Sequence, residues 1–206
     1  MAKRSSEETK SNILSTLCTI VVEKGFKTLD VATLAREARI DRALVYRYFG
    51  NMEGLLQKVA EKTAIWISTQ EMVQKSYSAA RSSAANYTAF LTTIIDALRA
   101  KPLAQEAVIW ELVDSNKLTR LLDHYRENQM LEVYALLGLP LKDDPTCDRA
   151  AISALLIGGI IYLAIKSKSS DTFGGVDIAT DEGWERLKAA IEQVVTTMDA
   201  QFHFDE

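Results

Sequence analysis

The sequence predicts an all-α protein: an N-terminal head of three short helices and a C-terminal body of about six. Two observations carry this. Apolar residues recur along the chain at i, i+3, i+4 and i+7, the spacing of one helix face. The 206 residues include only three prolines and nine glycines, so little interrupts those faces. With 48 % hydrophobic residues, the chain can bury a sizeable core.

Taken in order, Ser5 and Glu8 have capping-box spacing and open a first helix. Ile13, Leu14, Leu17, Cys18, Val21 and Val22 form its apolar face, and Gly25 stops it. Asp30 caps a second helix with Val31, Leu34, Ala35 and Ala38 on one side. Arg39-Ile40-Asp41 interrupts it, and Asp41 caps a third helix whose inner side is Val45 and Phe49. Two short helices joined by so few residues form a helix-turn-helix. A longer helix starts near Met52 and carries Leu55, Leu56 and Val59. Residues 74–86, rich in Ser and Ala, read as a helix end and a loop. The domain limits expected are 5–66 for the head and 67–206 for the body.

In the body, Tyr87, Phe90, Leu91, Ile94, Ile95 and Leu98 make one amphipathic helix. Pro102 starts another, since proline suits a first helical turn. A longer helix follows from about Leu118 and stops at Gly138 and Pro140. Asp144-Pro145 opens the most apolar one, running to about Lys168. Its 16-residue apolar run, Ala150 to Ile165, falls short of the ~20 a membrane span needs, so it reads as a buried helix. Residues 169–180 read as a loop, and Thr180 caps the last helix.

The charge is unevenly placed. The chain carries −4 in total, yet residues 1–62 carry +3 and the remainder −7. A basic segment on an acidic body suits a DNA-reading head joined to a domain that does not touch DNA. On a wheel of 100° per residue, Val45 and Phe49 point inward, so Ala43, Leu44 and Arg47 point out, toward base edges. Arg47 suits guanine and Leu44 a thymine methyl. Arg42, Tyr46 and Tyr48 lie on the flanks, within reach of phosphates, as does Lys10 on the first helix. The alternative for Tyr46 and Tyr48 is packing against that helix.

The body holds aromatic residues with hydroxyl or N–H groups, which need polar partners when buried. Tyr87, Phe90, Ile94, Trp110, Glu111 and Leu121, with Tyr125, Tyr134, Leu155 and Tyr162, are candidates to line a small-molecule pocket. The competing reading is plain core. Gly158-Gly159 allows close helix approach, either between two copies of the chain or within one. Cys18 and Cys147 have no metal spacing and read as reduced structural residues of a cytoplasmic protein. Only His124 and His203 are present, with no nucleophile motif, so no enzyme, metal or cofactor is expected.

The head resembles the TetR family of bacterial transcriptional regulators. Carrying the resemblance are Ile13-Leu14, Gly25-Phe26, Val31, Leu34-Ala35, Ala38, Ile40, Tyr46, Tyr48-Phe49, Asn51, Glu53 and Leu55-Leu56, over roughly residues 9–60 without a gap. It implies a homodimer on a palindromic double-stranded DNA operator, released when the body binds a small-molecule effector. It also implies that the last two helices of each copy pair in a four-helix bundle. Here that seam would use Ile152, Leu156, Gly159 and Leu163 with Trp184, Ile191 and Val195. No membrane partner is implied. Some positions depart from the family. Arg39 stands where Gly is usual in the turn, Leu29 and Leu44 where Thr or Ser is common, and Met52 where a Lys often meets phosphate. These departures keep an alternative in view: a helical protein-interaction module of the same fold with weakened or lost DNA binding.

Overall fold

The computed structural model describes residues 5–62, 67–139 and 148–202. In chain order its elements are α1 (Ser6–Lys24), a 3-10 turn (Phe26–Thr28), α2 (Val31–Ala38), α3 (Arg42–Phe49), α4 (Met52–Lys62), α5 (Thr69–Ser76), α6 (Ser83–Ala100), α7 (Pro102–Val113), α8 (Lys117–Leu136), α9 (Arg149–Lys166), β1 (Thr172–Phe173), β2 (Val176–Asp177) and α10 (Asp181–Phe202). Among the described residues the fold is all-α but for one hairpin of two-residue strands. Asp144-Pro145, Cys147 and His203 lie outside the described residues, as does the side chain of Leu118.

The chain divides into two compact units. One takes residues 1–66 and 101–126, the other 67–100 and 127–206. α7 and the first half of α8 group with the N-terminal unit. Their reason for being there is a ring stack. Trp110 of α7 lies on Phe26 with centroids 4.3 Å apart and planes 7° from parallel. Both rings are buried. A contact between residues 84 positions apart has no signature in local periodicity.

Within the N-terminal unit the start and stop signals act as local chemistry dictates. Ser5 and Glu8 form the reciprocal capping box, with Glu8 N–H donating to Ser5 Oγ and Ser5 N–H to Glu8 Oε2. Gly25, at φ 73°, ends α1 in a conformation that costs glycine little. The buried face of α1 is Ile13, Leu14, Leu17, Ile20 and Val21. Leu34, Ala35 and Ala38 of α2 and Val45 of α3 are buried too. At the start of α4, Asn51 Oδ1 accepts the Gly54 N–H at 2.8 Å. A Cβ on Gly54 would sit 2.2 Å from the Phe49 carbonyl oxygen, so only glycine lets α4 leave α3 this tightly.

In the second unit α6 is the central helix, packed against α5, α9 and α10. Phe90, Leu91 and Ile95 of α6 and Trp184 of α10 are fully buried. Residues 169–180, expected as loop, contain the hairpin. Thr172 pairs with Asp177 and Phe173 with Val176 across Gly174 and Gly175, both at positive φ. A two-residue hairpin turn demands that backbone. The hairpin seats on the start of α10, where a Cβ on Gly183 would lie 1.4 Å from the Asp177 carbonyl oxygen. Trp184 Nε1 donates to the Ile178 carbonyl at 2.8 Å, and Thr180 Oγ1 accepts the Gly183 N–H, capping α10 as expected.

The apolar helix differs from its reading. Within one chain α9 is not a buried helix: only Ser153, Ile160 and Ala164 are buried along it, and Leu155 is 76 % exposed. By length and composition it would pass for a membrane span. Its apolar residues simply exceed what this unit can cover.

Candidate nucleic-acid interface

α2, the turn and α3 form a helix-turn-helix. Asp30 caps α2 by accepting the Thr33 N–H, and Asp41 caps α3 by accepting the Ala43 N–H, both at 2.8 Å. Arg39 takes up the left-handed conformation, φ 54° and ψ 51°, between them. That backbone is the reason glycine suits this position, and an L-residue there costs about 1–2 kcal/mol. The turn nevertheless closes. Arg39 N–H donates to the Arg36 carbonyl and Ile40 N–H to the Ala35 carbonyl. From α1, Asn12 Nδ2 donates to the Ala38 carbonyl at 3.0 Å, fastening the end of α2.

Val45 is fully buried beneath α3, so the helix has the orientation the wheel requires. Arg42, Ala43, Tyr46 and Arg47 are exposed, Tyr46 by 53 %; Leu44 and Tyr48 are half-buried. Arg47 does not stand straight out. Its Nη2 donates to the Tyr48 phenol at 2.9 Å, and its guanidinium carbon lies 4.9 Å from the centre of the Tyr48 ring. Lys10 Nζ of α1 lies 5.6 Å from the same centre and 2.7 Å from Glu7 Oε1. Hydrogen bonds from Ser6 and then Arg47 hold the Tyr48 phenol below the ordinary tyrosine range. The structure therefore gathers Lys10, Arg47 and Tyr48 in one cluster, with Arg42, Ala43, Leu44 and Tyr46 along the rest of α3.

Residues 13–59 match the family described as bacterial regulatory proteins, tetR family. That match spans the helix-turn-helix and covers 47 of the 206 residues. No curated protein matches the chain closely. TetR-family structures share its fold across nearly the whole length. A TetR transcriptional regulator from Agrobacterium tumefaciens is 19 % identical with a TM-score of 0.62, over 94 % of this chain and 93 % of that one. NalD of Pseudomonas aeruginosa, the secondary repressor of a multidrug efflux pump, is 16 % identical with a TM-score of 0.60, over 92 % and 96 %. The fatty acid degradation regulator FadR of Bacillus halodurans is 16 % identical with a TM-score of 0.58, over 94 % and 96 %. The chain thus shares the all-α fold of these structures.

The ten candidate pocket residues divide between the two units. Tyr87, Phe90, Ile94 and Tyr134 come together, buried, in the second unit. Phe90 meets the Tyr134 ring edge to face at 5.4 Å and lies 6.3 Å from Tyr87. Both phenols converge on Ser153 Oγ, at 2.5 Å from Tyr87 and 2.6 Å from Tyr134. Burial pushes both phenols above their ordinary range. Leu155 and Tyr162, also in this unit, are exposed, and Tyr162 meets Phe173 of the hairpin instead. Trp110, Glu111, Leu121 and Tyr125 belong to the N-terminal unit. Leu121 and Tyr125 are partly exposed there, while the Glu111 side chain is only 6 % exposed. Arg126 Nη2 approaches Glu111 Oε2 to 2.9 Å, but neither carboxylate oxygen receives an aligned hydrogen bond. The aligned bond from Arg126 goes to Asp123 Oδ1 at 2.6 Å. Desolvation raises the Glu111 carboxyl to about 7, against the opposing pull of Arg126.

The expected seam residues are also sorted. Ile152, Leu156, Gly159 and Leu163 of α9 are half-buried or exposed. Trp184, Ile191 and Val195 of α10 are buried within one chain; Trp184 is 1 % and Val195 0 % exposed. An open apolar groove of ≈ 220 Å³ runs between α9 and α10. Leu155, Leu156, Gly159 and Leu163 line one side, Leu187, Ala190 and Val194 the other. Among the described residues no cluster of metal-ligating side chains occurs. Sequence reasoning missed Asn12 and Ser153. Ser153 carried a signal, since a lone hydroxyl inside an apolar helix needs a partner.

Proposed function

We propose that this chain is a repressor that binds a palindromic operator as a homodimer and leaves it when a small molecule enters the second unit. The carrying observation is the outer face of α3, where Arg42, Ala43, Tyr46 and Arg47 stand exposed above a buried Val45. A short helix offering cations, an aromatic hydroxyl and a small residue suits a major groove. Palindromic binding needs two heads, and the α9–α10 groove is the surface proposed to pair them. A second copy would cover the exposed Leu155 and Val194 and the open space above Gly158 and Gly159. The effector's proposed place is around Tyr87, Phe90, Ile94 and Tyr134, where the Ser153 hydroxyl offers hydrogen bonds a polar ligand group could take over. Such a regulator works in the cytoplasm, where the operator is.

The test is operator selection from random duplex DNA, followed by binding across a salt series. Recovery of an inverted repeat, with affinity falling steeply as salt rises, is the expected result. Failure to enrich any sequence, with weak salt-insensitive binding, would instead favour the protein-interaction module. Ligands that raise the melting temperature and also release the operator identify the effector.

A further inference from the structure

Arg47 and Lys10 come from different helices yet share one aromatic ring. Arg47 touches the Tyr48 phenol at 2.9 Å and lies over the ring at 4.9 Å; Lys10 reaches the ring from α1 at 5.6 Å. An arginine bonded to the side chain next to it in sequence is not extended along the axis of its own helix face. It lies toward the α1 flank, where the phosphate backbone would run if α3 entered a major groove. Glu7 is the carboxylate facing Lys10, at the distance a phosphate oxygen would take.

We propose that Tyr48 is a positioning residue that gathers Arg47 of α3 and Lys10 of α1 into a two-cation seat for one backbone phosphate, so that Arg47 serves the DNA backbone and not a base edge. This rests on the DNA-binding reading above. The seat leaves Ala43 and Leu44, with Arg42 and Tyr46, as the base-facing part of α3.

The experiment measures the full chain and its Arg47→Ala, Lys10→Ala and Tyr48→Phe variants on the selected operator and its single-base variants, across salt. Arg47→Ala is expected to weaken every site by the same factor and to make the salt slope of the dimer shallower by about 1.8, the loss of one phosphate contact from each head. Relaxed preference at one base pair with an unchanged slope overturns the assignment. Tyr48→Phe is expected to weaken binding several-fold in the wild-type background and to add nothing in the Arg47→Ala background. Additive losses overturn the positioning role. A readout without DNA separates this proposal from the reading beneath it. In ultraviolet titration, one phenol that disappears in Tyr48→Phe should titrate at higher pH in Arg47→Ala. An unchanged phenol titration in Arg47→Ala overturns the clamp even if the chain binds DNA; a moved one upholds the clamp even if it binds none.

Discussion

Trp110 lies flat on Phe26, ring centroids 4.3 Å apart, and through this stack α7 becomes part of the unit that carries the helix-turn-helix. Truncating either ring opens a cavity in a small core, which costs about 3–5 kcal/mol. The expected outcome for Trp110→Ala is a loss of that size in denaturant unfolding, with weakened DNA binding although residue 110 lies far along the chain from α3. A fragment ending at residue 66 should suffer the same defect, because Phe26 then has no Trp110 to cover it. A fragment that melts as cooperatively as the full chain would show that the stack contributes little.

Glu111 makes stability depend on pH in a defined direction. Its carboxyl titrates at about 7 in the folded chain against an ordinary 4.5, chiefly from desolvation. The folded state therefore holds this proton more tightly than the unfolded state. The group's penalty is complete above about pH 7, shrinks as pH falls through that value and is gone below about 4.5. Glu111→Gln should thus gain stability over wild type at pH 8 and lose most of that advantage at pH 5. Asp123 keeps Arg126 paired in the variant. Urea midpoints at the two pH values decide it, and an advantage that does not change with pH would rule the mechanism out.

What could be read from the chain beforehand was whatever is local. Ser5, Gly25, Asp30, Asp41 and Thr180 act on backbone groups within four positions, so the ends of α1, α2 and α3 and the start of α10 were legible. So was the inward face of α3, fixed by Val45. Contacts between distant positions were not. Neither the Phe26–Trp110 stack nor the Asn12 bond to Ala38 leaves a trace in periodicity. The burial of Trp184 was illegible for a related reason. An apolar stripe shows that a face is covered, but not whether its own chain or a second copy covers it. The direction of Arg47 could not come from a wheel either, since a wheel places Cα positions and leaves a long side chain free to swing to Tyr48.

Ser153 holds two buried phenols at once, Tyr87 from α6 and Tyr134 from α8. Ser153→Ala removes the shared partner without changing the packing volume much. Leaving buried hydroxyls short of a partner costs about 1–3 kcal/mol. Tyr134→Phe removes one of the hydroxyls itself and should cost less, about 0.5–1.5 kcal/mol. If the effector's polar group takes over this hydroxyl cluster, Ser153→Ala should also lower effector affinity while leaving operator affinity in the absence of effector unchanged. Equal effector affinity in both proteins would place the ligand elsewhere.

Gly158 and Gly159 separate the two meanings of a small residue in a helix. Within one chain an added Cβ at either position meets nothing within 4 Å, so these glycines are not there for packing inside the subunit. Glycine in a helix interior costs about 1 kcal/mol relative to alanine. Gly158→Ala and Gly159→Ala should therefore each stabilise the isolated subunit by about that amount. A larger side chain at position 159, in the groove beside Leu156 and Leu163, should have the opposite effect on assembly, because it holds the facing helix of a second copy away. Sedimentation of Gly159→Leu at micromolar concentration is expected to give a folded monomer, with circular dichroism unchanged and operator affinity reduced to that of a single head. A Gly159→Leu dimer as tight as wild type would mean that copies pair through a surface other than α9.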